Sequence, residues 1–102
     1  MNINIFGEHM TVTDSIQSYI NEKFSHLHTP EKLTNVEFRV GTTKTDQYVH
    51  FHANVPGESI VIKTSDKNLY HAIDSLMNKI HLAFTKEKGK HQQRLSAQFN
   101  LE

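Results

Sequence analysis

The stretch YVHFHANV, residues 48–55, alternates polar and apolar side chains without interruption. Successive side chains of a β-strand point to opposite faces of a sheet, so this pattern predicts a strand with one buried and one solvent-facing side. The stretch NVEFRV, residues 35–40, alternates in the same way, and residues 41–46 between the two are predicted to form a hairpin connection. Two such strands share an apolar face that another layer must cover.

Two further strands flank this pair in the sequence. Ile3 and Ile5 alternate with asparagines and predict a short strand that ends near Gly7. The dipeptide Pro56-Gly57 is a turn signal, and it leads into a strand predicted at residues 59–64. The sheet is therefore expected to have four strands.

Two amphipathic helices are available to cover the apolar face. The first is predicted from Asp14 to about His26, with Thr13 as N-cap and Thr29-Pro30 as the stop. Its apolar stripe consists of Ile16, Tyr19, Ile20, Phe24 and Leu27. The second has Ser65 or Asp66 as its predicted cap. Its stripe consists of Leu69, Ala72, Ile73, Leu76, Met77, Ile80, Ala83 and Phe84.

These elements predict an α+β fold, a two-layer βαβββα sandwich with a four-stranded mixed sheet and both helices on one face. The first two strands are joined through a helix and can pair in parallel, whereas the later strands form an antiparallel meander. The opposite face of the sheet is left to meet water. It is expected to carry Glu37, Arg39, Tyr48, His50, His52 and Lys63.

A chain of 102 residues fits one domain, predicted at residues 1–91, and a polar segment at 92–102 predicts a flexible C-terminal tail. The chain has no cysteine, which excludes disulfides and thiolate metal sites. The amino-terminal segment shows neither a signal peptide nor a membrane span, so we expect a cytoplasmic protein without a membrane partner. We also expect it to be a monomer when free.

The charge of the chain is balanced overall but unevenly distributed. Residues 1–58 carry four lysines and arginines against seven acids, whereas residues 59–102 carry seven against four. Basic residues cluster on and after the second helix, and two weaker candidates lie on the first helix and the last strand. The predicted RNA-binding residues are Lys79, Lys86, Lys88, Lys90, Arg94, Lys23 and Lys63. The pattern predicts a polyanionic partner, and ordinary solvated lysines are the alternative interpretation.

Enzymatic chemistry has no support in the sequence. There is no nucleophile elbow, glycine-rich phosphate loop or framed pair of carboxylates, so we predict no catalytic residues and no cofactor. His50 and His52 share a strand face that is compatible with a metal, but the other histidines are scattered, and solvent-facing histidines are the favoured interpretation. Tyr70 could stack on a nucleic-acid base, but packing over the sheet edge is favoured.

Several segments resemble the ribosome hibernation-promoting factors, and the likeness covers about residues 1–91. The most specific are DKNLYHAID at 66–74 and LMNKI at 76–80, with the opening MNINI and the turn NVPG at 54–57 in support. Within that family the sequence is more similar to the ribosome-associated inhibitor A (protein Y) branch. Leu82 and Glu87 occupy positions where family members often carry a basic residue.

The resemblance implies a protein that silences translation. Members of this family bind the small ribosomal subunit and its rRNA between the subunits, where they occupy the places of messenger RNA and of A- and P-site tRNA during stationary phase or stress. Short members cooperate with a ribosome modulation factor, which makes that factor a candidate partner. Two other functions stay open from the residues alone: a general double-stranded-RNA-binding module, because αβββα is the layout of that domain, and a histidine-rich metal-binding protein.

Overall fold

A computed structural model describes residues 3–86 and confirms the predicted βαβββα order. The elements are β1 (Ile3–Glu8), α1 (Asp14–Ser25), β2 (Thr34–Thr42), β3 (Gln47–Val55), β4 (Glu58–Asp66) and α2 (Leu69–Lys86). The predicted flexible tail at residues 92–102 lies outside the described residues.

The four strands form one mixed sheet in the order β1-β2-β3-β4. Strands β1 and β2 pair in parallel, as the helical crossover predicted, and the two later pairs are antiparallel. The register aligns side chains of the open face in rows across the sheet. One such row consists of Phe6, Arg39, His50 and Lys63.

Both helices cover the apolar face of the sheet. Phe24 of α1 packs edge-on against Phe38 of β2 at 5.5 Å between ring centroids, and Phe38 contacts Phe51 of β3 at 5.3 Å. Phe84 near the end of α2 packs edge-on against Phe51. Every member of the predicted α2 stripe is buried. This aromatic cluster fixes both helices on the central strands, so side chains on the outer surface have a rigid support.

The structure shortens one predicted connection and confirms the predicted extent of α1, Asp14 to about His26. The connection between β2 and β3 is limited to residues 43–46, because the strands pair as far as Thr42 and Gln47. Helix α1 ends at Ser25, several residues before Thr29-Pro30, with His26 as its C-cap. Its predicted N-cap is confirmed, since the Thr13 hydroxyl accepts a hydrogen bond from the Ile16 amide.

The N-cap of α2 is Asn68 rather than Ser65 or Asp66. Strand β4 extends through Asp66, and the Asn68 side-chain oxygen accepts a hydrogen bond from the Tyr70 amide at 2.9 Å. The Asp66 carboxylate instead accepts from the Asn68 amide at 3.0 Å and so shapes the turn before the helix. The strand therefore continues to the residue that the sequence pattern had assigned to the cap.

Candidate nucleic-acid interface

The structure brings together two of the seven predicted RNA-binding residues. Lys63 of β4 and Lys79 of α2 line one depression at the edge of the sheet. Lys23 of α1 lines a separate groove between the helices, and Lys86 is the last residue of α2. Lys88, Lys90 and Arg94 lie outside the described residues.

The β4-edge depression has a volume of about 430 Å³ and opens to solvent. It offers two ammonium groups, two serine hydroxyls and two aromatic rings, and none of its lining residues carries a carboxylate. Its lining residues are Tyr48, His50, Lys63, Thr64, Ser65, Ser75 and Lys79. A lining of cationic and hydroxyl side chains favours an anion, and phosphate is the common biological anion of this kind.

Strand register builds one wall of the β4-edge depression. His50 lies directly opposite Lys63, and Tyr48 lies opposite Ser65. Directly opposed side chains on one sheet face have Cβ atoms about 5 Å apart, so these four groups form a compact block.

Helix α2 supplies the other wall. The buried Thr64 hydroxyl donates a hydrogen bond to the Ala72 carbonyl at 2.7 Å and so fixes this turn of the helix against β4. Ser75 and Lys79 follow Ala72 by three and seven residues and therefore share its side of the helix. Sequence reasoning missed Ser65 and Ser75, because only the packing of α2 on β4 brings them beside the two lysines.

The rings of Tyr48 and His50 stack on each other, with centroids 4.6 Å apart and planes inclined by 27°. The Tyr48 hydroxyl donates a hydrogen bond to the Glu8 carboxylate of β1 at 2.5 Å, so its side chain spans β2. This crossing is possible because Gly41 lies beneath the ring, where a Cβ atom would come within 2.2 Å of the Tyr48 hydroxyl oxygen. The Tyr48 side chain is therefore restrained by its hydroxyl contact with Glu8 and by its stacking on His50, and its ring is not free to rotate.

This hydrogen bond shifts the pKa of both partners. It lowers the pKa of Glu8, with a second contribution from a hydrogen bond to Arg39, and it raises the pKa of Tyr48. Each shift favours the ionisation state in which Tyr48 donates and Glu8 accepts. The contact therefore holds over the whole neutral pH range.

Arg39 is already engaged by two acids on the open face. Its guanidinium pairs with Glu8 at 3.1 Å and also with Glu37, and it lies over the exposed ring of Phe6. These contacts place the acids of the open face on its β1–β2 side. The open-face residues of β3 and β4 include Lys63 and no acid, so the positive potential is expected on that side.

His50 lies between these two sides. Burial holds the pKa of His50 below its ordinary value, the Lys63 and Arg39 charges act in the same direction, and the Glu8 charge acts in the opposite one. The imidazole is therefore neutral at pH 7, and its ring can serve as an uncharged stacking surface beside the lysine.

The groove between the helices forms a second candidate surface. Lys23, His26 and His81 line it together with Asn78 and one acid, Asp74. That carboxylate accepts a hydrogen bond from the Tyr19 hydroxyl at 2.6 Å. His26 follows Lys23 by three residues at the end of α1, whereas only the packing of α2 on α1 places His81 beside them. Leu82, at a position where the resemblance implies a basic residue, is an exposed residue of α2.

Tyr70 packs as predicted, but against a different partner. Its ring stands edge-on to Tyr19 of α1 at 4.9 Å between centroids, rather than over the sheet edge, and 38% of the residue is exposed. Lys23 lies over the other aromatic ring of this pair, with its ammonium nitrogen 5.3 Å from the Tyr19 centroid. The two tyrosines therefore tie α1 to α2 on the outer surface.

Two features are absent from residues 3–86. No three His, Cys, Asp or Glu side chains of this part stand close enough to hold a metal ion. His50 is partly buried and His52 is exposed, both on the open face. No helix of this part is long and apolar enough to cross a bilayer.

The fold and this surface define a small two-layer α+β domain that presents cations on a rigid support. A family model described as Sigma 54 modulation protein / S30EA ribosomal protein matches residues 3–92. The chain belongs to this family.

Similar proteins agree with this assignment. A ribosome hibernation promoting factor from Pseudomonas putida is 32% identical over 93 residues, which cover 90% of this chain and 91% of that protein. One from Azotobacter vinelandii is 30% identical over 99 residues, with coverages of 96% and 92%. The predicted resemblance to ribosome hibernation-promoting factors is thereby confirmed.

Two solved structures share the fold. A ribosomal subunit interface protein from Coxiella burnetii superposes with a TM-score of 0.82 at 20% identity, over 88% of this chain and all of that one. The N-terminal domain of Protein Y from Thermus thermophilus gives 0.73 at 21% identity, over 84% and 98% of the two chains.

Proposed function

We propose that this protein is a ribosome hibernation factor. The observation that carries the proposal is the family match over residues 3–92, together with relatives that match over at least nine-tenths of both chains and are named ribosome hibernation promoting factors. In this proposal the protein binds the small ribosomal subunit between the subunits. There it occupies the places of messenger RNA and of A- and P-site tRNA during stationary phase or stress.

The charge arrangement supports such a role. Lys63 and Lys79 on one depression, and Lys23 in the groove between the helices, are cations on elements that the aromatic core holds rigid. Lys86 ends α2, and we propose that Lys88, Lys90 and Arg94 continue the same contact with rRNA. Lysines that replace counterions along phosphates make binding steeply dependent on salt.

Occlusion needs no reaction, so the proposed role is that of a plug rather than of an enzyme. A protein that acts on ribosomes works in the cytoplasm, where we place it. The ribosome modulation factor stays a candidate partner, and we propose the tail at residues 92–102 as the segment outside the ribosome-binding domain.

Sedimentation with purified small subunits tests the proposal. The parent is expected to co-sediment at low salt, and the triple variant Lys79→Glu, Lys86→Glu, Lys90→Glu is expected to stay in the supernatant. Removal of three phosphate contacts should lower the slope of log affinity against log salt by roughly 2 to 3. A matched control, Lys32→Glu, Lys44→Glu, Lys67→Glu, makes the same change in net charge at exposed residues that do not line the β4-edge depression, and it should still bind.

Two further arms test the site on the ribosome. Small subunits preloaded with messenger RNA and P-site tRNA should bind less protein, because the ligands would compete for one place. Free duplex RNA should compete poorly. Equal binding to loaded and empty subunits would refute occlusion, and preference for free duplex RNA would favour the general double-stranded-RNA-binding alternative.

A further inference from the structure

The β4-edge depression combines more kinds of binding group than a basic patch of lysines would. Its two lysines come from different elements, β4 and α2, and face a shared space of about 430 Å³, which is within the size range of small-ligand sites. Its hydroxyls, from Ser65 and Ser75, can each donate or accept a hydrogen bond. An aromatic pair stands at the same wall.

We propose that the β4-edge depression binds one nucleotide unit, with the phosphate between Lys63 and Lys79 and the base against the Tyr48–His50 pair. This inference deepens the proposed function, since rRNA is one source of such a unit. A free nucleotide is the other source with the same chemistry.

The position of the aromatic pair supports a base rather than a phosphate alone. Tyr48 donates a hydrogen bond to Glu8, and its ring fills the space that the missing Cβ atom of Gly41 leaves. The ring pair is therefore rigid before any ligand arrives. Stacking on a preformed aromatic surface is tolerant of base identity, because every base has a π-face. His50 lies opposite Lys63, so a ligand can reach the ring and the ammonium together.

The fixed spacing between the elements that carry Lys63 and Lys79 supports recognition of the phosphate. Thr64 fastens α2 to β4 through the Ala72 carbonyl, and this contact sets the spacing between the strand that carries Lys63 and the helix that carries Lys79. A single mobile lysine gives only a diffuse attraction, whereas two on separate rigid elements define a place between them.

Titration of the ¹⁵N-labelled protein with three probes tests the inference. The probes are inorganic phosphate, uridine 5′-monophosphate and a short oligouridylate, at about pH 8 so that His50 is neutral. Amide shifts are expected at residues 63–65 and 75–79 with all three, and the monophosphate should bind more tightly than phosphate by about fivefold because it adds base stacking. Shifts confined to the groove that contains Lys23, or equal affinity for phosphate and the monophosphate, would overturn it.

Variants separate the two halves of the site. Lys63→Ala and Lys79→Ala should each weaken all three probes by about tenfold, the expected loss for a hydrogen bond to a charged group. His50→Ala should weaken the nucleotide probes but leave inorganic phosphate unchanged. Lys44→Ala, at an exposed loop position, is the control and should bind as the parent does. Unchanged binding by both lysine variants, with folding confirmed by thermal unfolding, would refute the site.

Titration with oligouridylate distinguishes RNA from a free nucleotide as the ligand. The sedimentation assay with small subunits distinguishes a failure of this inference from a failure of the proposed function. Tighter binding of oligouridylate than of the monophosphate, at the same amides, assigns the site to RNA, whereas equal binding assigns it to a free nucleotide. A protein that ignores small subunits yet binds the monophosphate would refute only the proposed function. A protein that binds small subunits, with Lys63→Ala and Lys79→Ala unaffected in both assays, would refute only the nucleotide site.

Discussion

At the scale of single residues, the geometry of the open sheet face depends on Gly41, which has no Cβ atom and lies beneath the Tyr48 ring. Gly41 pairs with Glu8 on one side and with Tyr48 on the other. The absence of a Cβ atom at this position lets the Tyr48 hydroxyl reach Glu8, and the Tyr48 ring in turn packs against His50. A steric detail in β2 thereby sets the geometry of a wall formed by β3.

Replacement of Gly41 by valine tests this dependence. The new Cβ would overlap the Tyr48 hydroxyl, so we expect the free energy of unfolding to fall by about 1–3 kcal/mol. In a Tyr48→Ala background the same replacement should cost little, because the overlapping ring is gone and valine suits a strand. Urea unfolding of the four proteins gives the coupling energy. An equal cost in both backgrounds would show that the ring does not occupy this gap.

His50 should make the stability of the domain depend on pH. Its pKa in the folded state is lowered, chiefly by burial, so the unfolded chain takes up a proton first as the pH falls. Its contribution to stability is therefore complete above about pH 6.5 and is lost as the pH falls through the folded-state pKa. His50→Gln should lose less stability than the parent between pH 7 and pH 5, measured by urea unfolding. His52→Gln, at an exposed position on the same face, is the control. A parent-like decline in His50→Gln would contradict this assignment.

At the scale of elements, α2 links the core to both candidate surfaces. Its inner stripe fills the core, Lys79 reaches the β4-edge depression and His81 reaches the groove beside α1. The residue at which α2 begins determines which of its side chains face the depression and which face the groove. Asn68 caps the helix, and the hydrogen bond from Thr64 to the Ala72 carbonyl holds the first turn against β4.

Loss of the Asn68 cap should weaken α2 without a change in charge. Asn68→Ala leaves the Tyr70 amide without its side-chain acceptor, and we expect a loss of about 1 kcal/mol in the free energy of unfolding. Asn68→Asp should keep most of the stability, because aspartate is an equally good cap. Lys67→Ala, at the exposed neighbouring position, is the control in the same denaturation experiment. Equal stability of Asn68→Ala and Lys67→Ala would exclude Asn68 as the cap.

At the scale of the whole molecule, the charge of the domain is nearly balanced. Residues 3–86 contain eight lysines and arginines against nine acids, so attraction to a polyanion depends on where the cations stand rather than on their number. Lys63 and Lys79 share the β4-edge depression, and Lys23 lines the groove between the helices.

The sequence by itself determined the order of the elements, the mixed sheet and the buried stripes. These follow from repeats of two and about 3.6 residues, which the backbone geometry of strands and helices imposes locally. It also pointed to the family through the segment at residues 66–74. Only the tertiary structure decided which polar residues are neighbours. Lys63 and Lys79, or Lys23 and His81, are distant in the chain, and only strand register and helix packing bring them together.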